Sequence, residues 1–210
     1  MKRKITILVL FLFNALAIAQ HSVDISFNES IDLGIVEGKT QFIITNGGKS
    51  TNVKGEKINS YKFEKPGTYQ IKVIPDKAFE KDGCGHDKFP HEITVNVSRI
   101  KMTFDAEKML LSESIQKNKD TKGTVLSIPV EIKTFDHQPA KLDRTIVNSA
   151  GIGTAITANL QKDFNQLEEG KHLLQYDLNG VVNQNSFIMF DFIDANGKVQ
   201  SIALQTPIKN

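Results

Sequence analysis

The chain has 210 residues, of which 26 are Lys or Arg and 24 are Asp or Glu, with a single Cys, no Trp and 13 Phe. Three of the basic residues, Lys2, Arg3 and Lys4, sit at the extreme N-terminus; the remainder is close to neutral, which removes the electrostatic case for nucleic acid or an anionic membrane surface as a partner. One cysteine excludes an internal disulfide, so stability must come from buried apolar surface, and a chain of this length can bury enough for one large or two ordinary domains.

The first element is a leader. Basic residues 2–4 precede an apolar run from Ile5 to Ile18, closing on Ala17-Ile18-Ala19. This is the n-region, h-region and small-x-small pattern of a secretory signal peptide over residues 1–19, with cleavage before Gln20. The run is short of the roughly 20 residues a membrane helix needs, so no membrane span is expected after cleavage. Gln20 and His21 stand where a lipoprotein would carry its cysteine. An uncleaved N-terminal anchor is the rival reading, and in both readings the body of the protein is exported, to the periplasm, the cell surface or the medium.

Short runs of period-two alternation follow, bounded by Gly, Asn, Asp or Pro, which predict half-buried antiparallel strands. Thr40 to Thr45 ends in Asn46-Gly47-Gly48-Lys49, a turn. Ile58 to Phe63 reads as extended, and Lys65-Pro66-Gly67 separates it from Tyr69-Gln70-Ile71-Lys72-Val73. The next alternating run is Ile93-Thr94-Val95-Asn96-Val97. Ala106 to Gln116 carries Met109, Leu110 and Leu111 consecutively, which favours a strand or a single turn over a helix. Lys117 to Gly123 reads as a solvated loop. Thr124 to Phe135 is strand-like, with Pro129 predicting an edge position or a bulge. Leu174 to Leu178 alternates again. Phe187 to Ile193 is apolar at nearly every position, as in a central strand, and Asp194-Ala195-Asn196-Gly197 with Val199 to Leu204 predicts a hairpin.

Many short strands and no convincing helix predict an all-β protein of two consecutive immunoglobulin-like antiparallel β-sandwiches, at 20–103 and 104–210. The junction at Arg99 to Phe104 lacks Pro, Gly or Ser runs and predicts a stiff connection. The segment from Tyr61 to Val73, with Lys65-Pro66-Gly67-Thr68-Tyr69-Gln70-Ile71-Lys72-Val73 at its heart, resembles one end of bacterial immunoglobulin-like domains of the polycystic-kidney-disease (PKD) type. The resemblance implies a tight turn at the Gly, a core position for the Tyr, and the fold class. The family's Trp-Asp-x-Gly-Asp-Gly stretch is absent from this chain.

The residue-level chemistry is sparse. Cys84, His86, Asp87 and His91 lie within eight residues; thiolate and imidazole suit Zn²⁺ or a copper ion, and Gly83 and Gly85 would let the backbone wrap around it. The spacing matches no defined finger or catalytic motif, and the neighbouring charges already mark this loop as solvated, so its polar residues need no special cause. Asp136-His137 lacks the Gly-x-Ser-x-Gly elbow of a hydrolase. Gly151-Ile152-Gly153-Thr154 lacks the third glycine of a dinucleotide loop and reads as a strand connection. Glu168 with Glu169, and Asp191 with Asp194, adjoin predicted turns and give no reason to converge in a cleft.

The expectation is a non-enzymatic exported protein for binding, adhesion or assembly at a bacterial cell envelope, with a protein partner and with edge-strand pairing as an available mechanism. A periplasmic metal-binding protein using the Cys84 to His91 loop, and a carbohydrate-binding accessory protein with a glycan ligand, are the alternatives.

Overall fold

The computed structural model describes residues 21–76, 90–142, 146–161, 166–184, 187–204 and 209. The expected leader at residues 1–19 and the Cys84 end of the cysteine loop lie outside them. The described chain is mostly β, and its strands fall into a five-stranded and an eight-stranded sheet, plus one two-stranded ladder.

The first sheet contains β1 (His21–Ser26), β2 (Gln41–Asn46), β3 (Lys49–Lys54), β4 (Gly67–Ile74) and β5 (Glu92–Ser98), in the order β1-β5-β4-β2-β3. All neighbours are antiparallel except β1, which runs parallel to β5 with His21 opposite Ile93 and Ser26 opposite Ser98. The β2–β3 turn is the predicted two-residue one: Gly47 and Gly48 both have positive φ, at 54° and 80°, the conformation that matches the twist of a tight hairpin.

Alternation decides which face is buried. Phe42 and Ile44 of β2, Tyr69, Ile71 and Val73 of β4, and Ile93, Val95 and Val97 of β5 share one apolar face. No second sheet covers it among the described residues. The cover is irregular chain carrying Phe27, Ile31, Val36, Ile58 and Phe63. The expected strand from Ile58 to Phe63 is instead a 3₁₀ helix over Gly55–Ser60 followed by an isolated bridge from Phe63 to Glu29. Apolar residues at 58, 61 and 63 are compatible with either conformation, and periodicity cannot separate the two over so short a run.

The larger sheet begins one residue after the first ends. Its strands are β6 (Ile100–Phe104), β7 (Leu110–Leu111), β8 (Val125–Thr134), β10 (Ile146–Ala150), β11 (Thr154–Leu160), β13 (Gly170–Val182), β14 (Met189–Ile193) and β15 (Val199–Ala203). The remaining two strands, β9 (Ala140–Lys141) and β12 (Gln166–Leu167), pair with each other. The main order is β15-β14-β10-β11-β13-β8-β6, with β7 also on β8. Residues 100–103, expected in the first unit, pair with β8 and belong to this second sheet. Their buried side chains Ile100 and Met102 join its core, which is separate from that of the first.

This sheet folds onto itself. Five strand spacings separate β6 from β14, about 24 Å across a flat sheet, yet the rings of Phe104 on β6 and Phe192 on β14 are 5.3 Å apart. Tyr176 on β13 meets the same Phe192 at 5.5 Å. The curled sheet encloses one core with Leu126, Ile128, Ile132, Leu174, Phe190 and Phe192 at its centre. Gly180 marks the tightest point: its φ is +133°, and a Cβ there would lie 1.9 Å from the Ala155 carbonyl oxygen on β11.

Pro129 sits where the sequence needs it. It pairs with Leu173 on one side; on the other, β6 has ended opposite Val130 and the chain turns through a 3₁₀ segment at Ala106–Lys108 before β7 resumes opposite Ser127. The missing N–H therefore faces a gap in the ladder, the edge-like position that proline tolerates. The loop at 117–123 is exposed as expected, except that Thr121 is buried and bonds the Gly180 carbonyl through both its N–H (2.8 Å) and its hydroxyl (3.0 Å).

Candidate functional site

Of the four metal-ligand candidates, Cys84, His86 and Asp87 lie outside the described residues. His91 is exposed at the entrance to β5, and its carbonyl accepts the Val73 N–H at 2.8 Å. Among the described residues no three His, Cys, Asp or Glu side chains come together as a metal site would require.

Asp136 and His137 separate in space. His137 Nδ1 lies 2.8 Å from Glu169 Oε2 on an exposed surface, while Asp136 turns to Arg99 at 2.8 Å. The bond from His137, together with the Thr134 N–H, holds the Glu169 carboxyl below its ordinary value. Glu168 contributes only its carbonyl, which accepts from His172 Nε2 at 2.7 Å. Asp191 accepts from the Ser201 hydroxyl across the β14–β15 ladder. Asp194 closes the following turn by accepting the N–H groups of Asn196 (2.8 Å) and Lys198 (2.9 Å). These carboxylates are turn and ladder fittings. The Gly151 to Thr154 stretch is the β10–β11 hairpin connection.

The chemistry that brings distant residues together is at the joint between the sheets. Arg99 is the single residue between β5 and β6, and its guanidinium donates to Asp136 Oδ1 (2.8 Å) and to the carbonyls of Gln138 (3.1 Å) and Pro139 (3.0 Å). Its own carbonyl accepts the Phe135 N–H at 2.9 Å. Phe135 then packs edge-on against Phe27 of the first unit, with ring centroids 6.0 Å apart. Glu29 Oε1 pairs with Lys101 Nζ at 3.2 Å, and Glu29 Oε2 accepts the Ser26 N–H at 3.0 Å. Partial burial pushes the Glu29 carboxyl up, but the Ser26 N–H and Lys101 outweigh it and leave it below its ordinary value.

The tip of the β14–β15 hairpin completes the joint. Asn196 Nδ2 donates to the Ile100 carbonyl at 3.0 Å and to Ser26 Oγ at 3.4 Å, and Asn196 Oδ1 accepts from the Ser98 hydroxyl. The Asp-Ala-Asn-Gly turn is legible in the sequence; that its asparagine reaches back to the start of β6 is not, because turn chemistry says nothing about what lies beside the turn.

Between this hairpin tip and the first sheet runs a groove of about 840 Å³, lined by Ser22 to Ser26 of β1, Gly67 and Thr68, Asn96 to Ser98, and Asn196 to Lys198. Its floor is polar. Asn96 Nδ2 donates to Asp24 Oδ1 (2.9 Å) and Ser22 Oγ (3.3 Å), and the Thr68 hydroxyl donates to Asn96 Oδ1 (3.2 Å). Both units contribute walls, so the groove exists only while the joint holds. It is suited to holding an extended ligand by hydrogen bonds, and its residues include no pair of an activated nucleophile and a base.

No family model matches the chain, and no curated protein matches it. Among solved structures it is similar to the crystal structure of the S-layer protein SbsC domains 4 and 5, with 15% identity and a TM-score of 0.21, over 81% of this chain and 75% of that one. A TM-score of that size carries no argument about fold or function.

Proposed function

We propose that this is an exported, non-enzymatic binding protein of a bacterial cell envelope, built of two immunoglobulin-like units and working in adhesion or assembly through a protein partner. The observation that carries the binding role is the groove at the joint, whose walls come from both units and whose floor is a connected set of hydrogen-bonding side chains.

The immunoglobulin-like reading draws support from strand order. In the second unit β6, β8, β13 and β11 form one run of neighbours and β10, β14 and β15 the other. Taken in chain order as strands A to G, with the short strands left aside, these are the ABED and CFG groupings of the constant-type sandwich. The two groupings meet here through the β10–β11 hairpin. In the first unit the Tyr69 hydroxyl donates to the Lys65 carbonyl at 2.9 Å. A tyrosine near the start of a strand, bonded to backbone a few residues upstream, is the tyrosine corner of such folds. The Glu29–Phe63 bridge then stands as the remnant of the opposite layer.

Residues 1–19 act as the export leader in this proposal, and Arg99 marks the passage between units. Pull-down from envelope extracts with the mature chain tests the role: specific protein partners are expected, and their complete absence under native conditions would overturn it.

A further inference from the structure

We infer that the outer edge of β1 is a strand-addition site for an extended peptide segment of a partner protein, one that carries a carboxylate at its N-terminal end and a cation two residues later. The inference rests on the proposed binding role and deepens it by naming the edge and the ligand chemistry.

Residues of a strand point their N–H and C=O to the same side, and successive residues point to opposite sides. Beyond the end of β1, the Phe27 N–H bonds the Ser98 carbonyl on the β5 side. Ser26 faces the other way, since its N–H goes to Glu29 Oε2 and its carbonyl accepts the Glu29 N–H. By this alternation the backbone groups of Ser22 and Asp24 face outward, away from β5, and no partner for them occurs among the described residues. They present two N–H and C=O pairs along the outer edge of β1, the pattern to which an added strand bonds.

The β3 and β6 edges differ from it. β3 carries Lys49 and Lys54 at its ends, the usual protection against strand pairing. At the β6 edge the Ile100 carbonyl is taken by Asn196. β1, His-Ser-Val-Asp-Ile-Ser, has neither lysine nor proline.

The charges beside the edge select the occupant. Lys198 lies at the joint end of the groove, exposed, with no ion pair among the described residues, although its field reaches Glu29. Glu29 is held by Lys101. Asp24 lies farther along β1, its carboxylate accepting from Asn96 on one oxygen. Because β1 runs toward the joint, an antiparallel segment enters with its N-terminal end near Lys198. A carboxylate there meets Lys198, a cation two residues on meets Asp24, and the alternate apolar side chains fall on the Val23 and Ile25 face.

The test uses the mature full chain and two fluorescein-labelled, C-terminally amidated pentapeptides of identical composition, Glu-Val-Lys-Val-Thr and Lys-Val-Glu-Val-Thr, read by fluorescence anisotropy. The first peptide is expected to bind about fivefold or more tightly than the second, as two cross-strand charge pairs would give. The double variant Asp24→Lys with Lys198→Glu is expected to reverse that order. Ser22→Pro removes an outward N–H while sparing the bonds to β5 and is expected to abolish binding; Ser22→Ala is expected to retain it, and thermal melts identify a variant that has not folded. Protection of the Ser22 and Asp24 amides from hydrogen exchange on peptide addition gives a readout in the unmutated chain. Absence of binding, equal binding of both peptides, protection confined to β3, or self-association blocked by Ser22→Pro would each overturn the inference. Envelope partners that persist with Ser22→Pro would leave the binding role standing and sink this edge alone.

Discussion

The first unit covers one face of a five-stranded sheet with irregular chain, whereas the second curls eight strands until the two ends of its sheet meet across a common core. In the first, the ring of Phe63 lies against Tyr61, just after the 3₁₀ helix, at 5.0 Å and against Tyr69 on β4 at 5.1 Å. In the second, Phe192 joins strands far apart in the sheet, touching Phe104, Tyr176 and Phe190. A loop layer can shift to refill a gap; two facing strand layers are fixed by their ladders. The two units should therefore respond differently to similar lesions.

The largest effect is expected at Gly180. Gly180→Val places a Cβ against the Ala155 carbonyl in a backbone region that valine rarely enters, which should cost about 4 kcal/mol or more and separate β11 from β13. Denaturant unfolding measures it, with loss of the second unit's amide protection as its signature. Next come the paired truncations. Phe192→Ala should cost near the top of the range of about 3–5 kcal/mol for buried rings and Phe63→Ala near the bottom, because only the Phe63 site, under a loop layer, can relax by loop movement. Equal losses would erase the distinction between a strand-built and a loop-built cover.

Smaller effects probe single bonds. Tyr69→Phe keeps the ring and removes the hydroxyl bond to Lys65, and should cost about 1 kcal/mol, seen in the first unit alone. The joint has its own pH signature. The folded Glu29 carboxyl lies below its ordinary value of 4.5, so its contribution is complete above the unfolded pKa and is lost as pH falls through the lower folded value. Acid should thus loosen the Glu29–Lys101 contact, and Glu29→Gln should flatten the pH dependence of joint stability as pH falls below the ordinary carboxylate value. An unchanged acid profile in that variant would remove Glu29 from the account.

Much of the β architecture is legible in the sequence because half-buried strands advertise themselves. Tyr69, Ile71 and Val73 fall inward by period two, as do Leu174, Tyr176 and Leu178. The turns at Gly47-Gly48 and at Asp194 to Lys198 carry their own chemistry, although the second is longer than a two-residue hairpin and only Gly197 takes positive φ there. What escapes is whatever depends on non-local packing. Met102 and Val97 sit in equally good alternating runs, and nothing local says that one lies in the second core and the other in the first. The sheet's fold-over and the reach of Asn196 to Ile100 are tertiary facts of the same kind. The Cys84 to His91 stretch stands out in the sequence as a cluster of ligand types, whereas the groove is not legible there, because Ser22, Asp24, Asn96 and Lys198 are ordinary surface residues until the joint brings them together.

The central claim is that the joint holds both units as one body, so that the groove is formed before any ligand arrives. Backbone residual dipolar couplings on residues 20–210 test it most directly. A single alignment tensor fitting the amides of both sheets, in the arrangement set by Arg99, Glu29–Lys101 and Asn196, is the predicted result. Two tensors of different magnitude, one for each sheet, would show independent motion and contradict it.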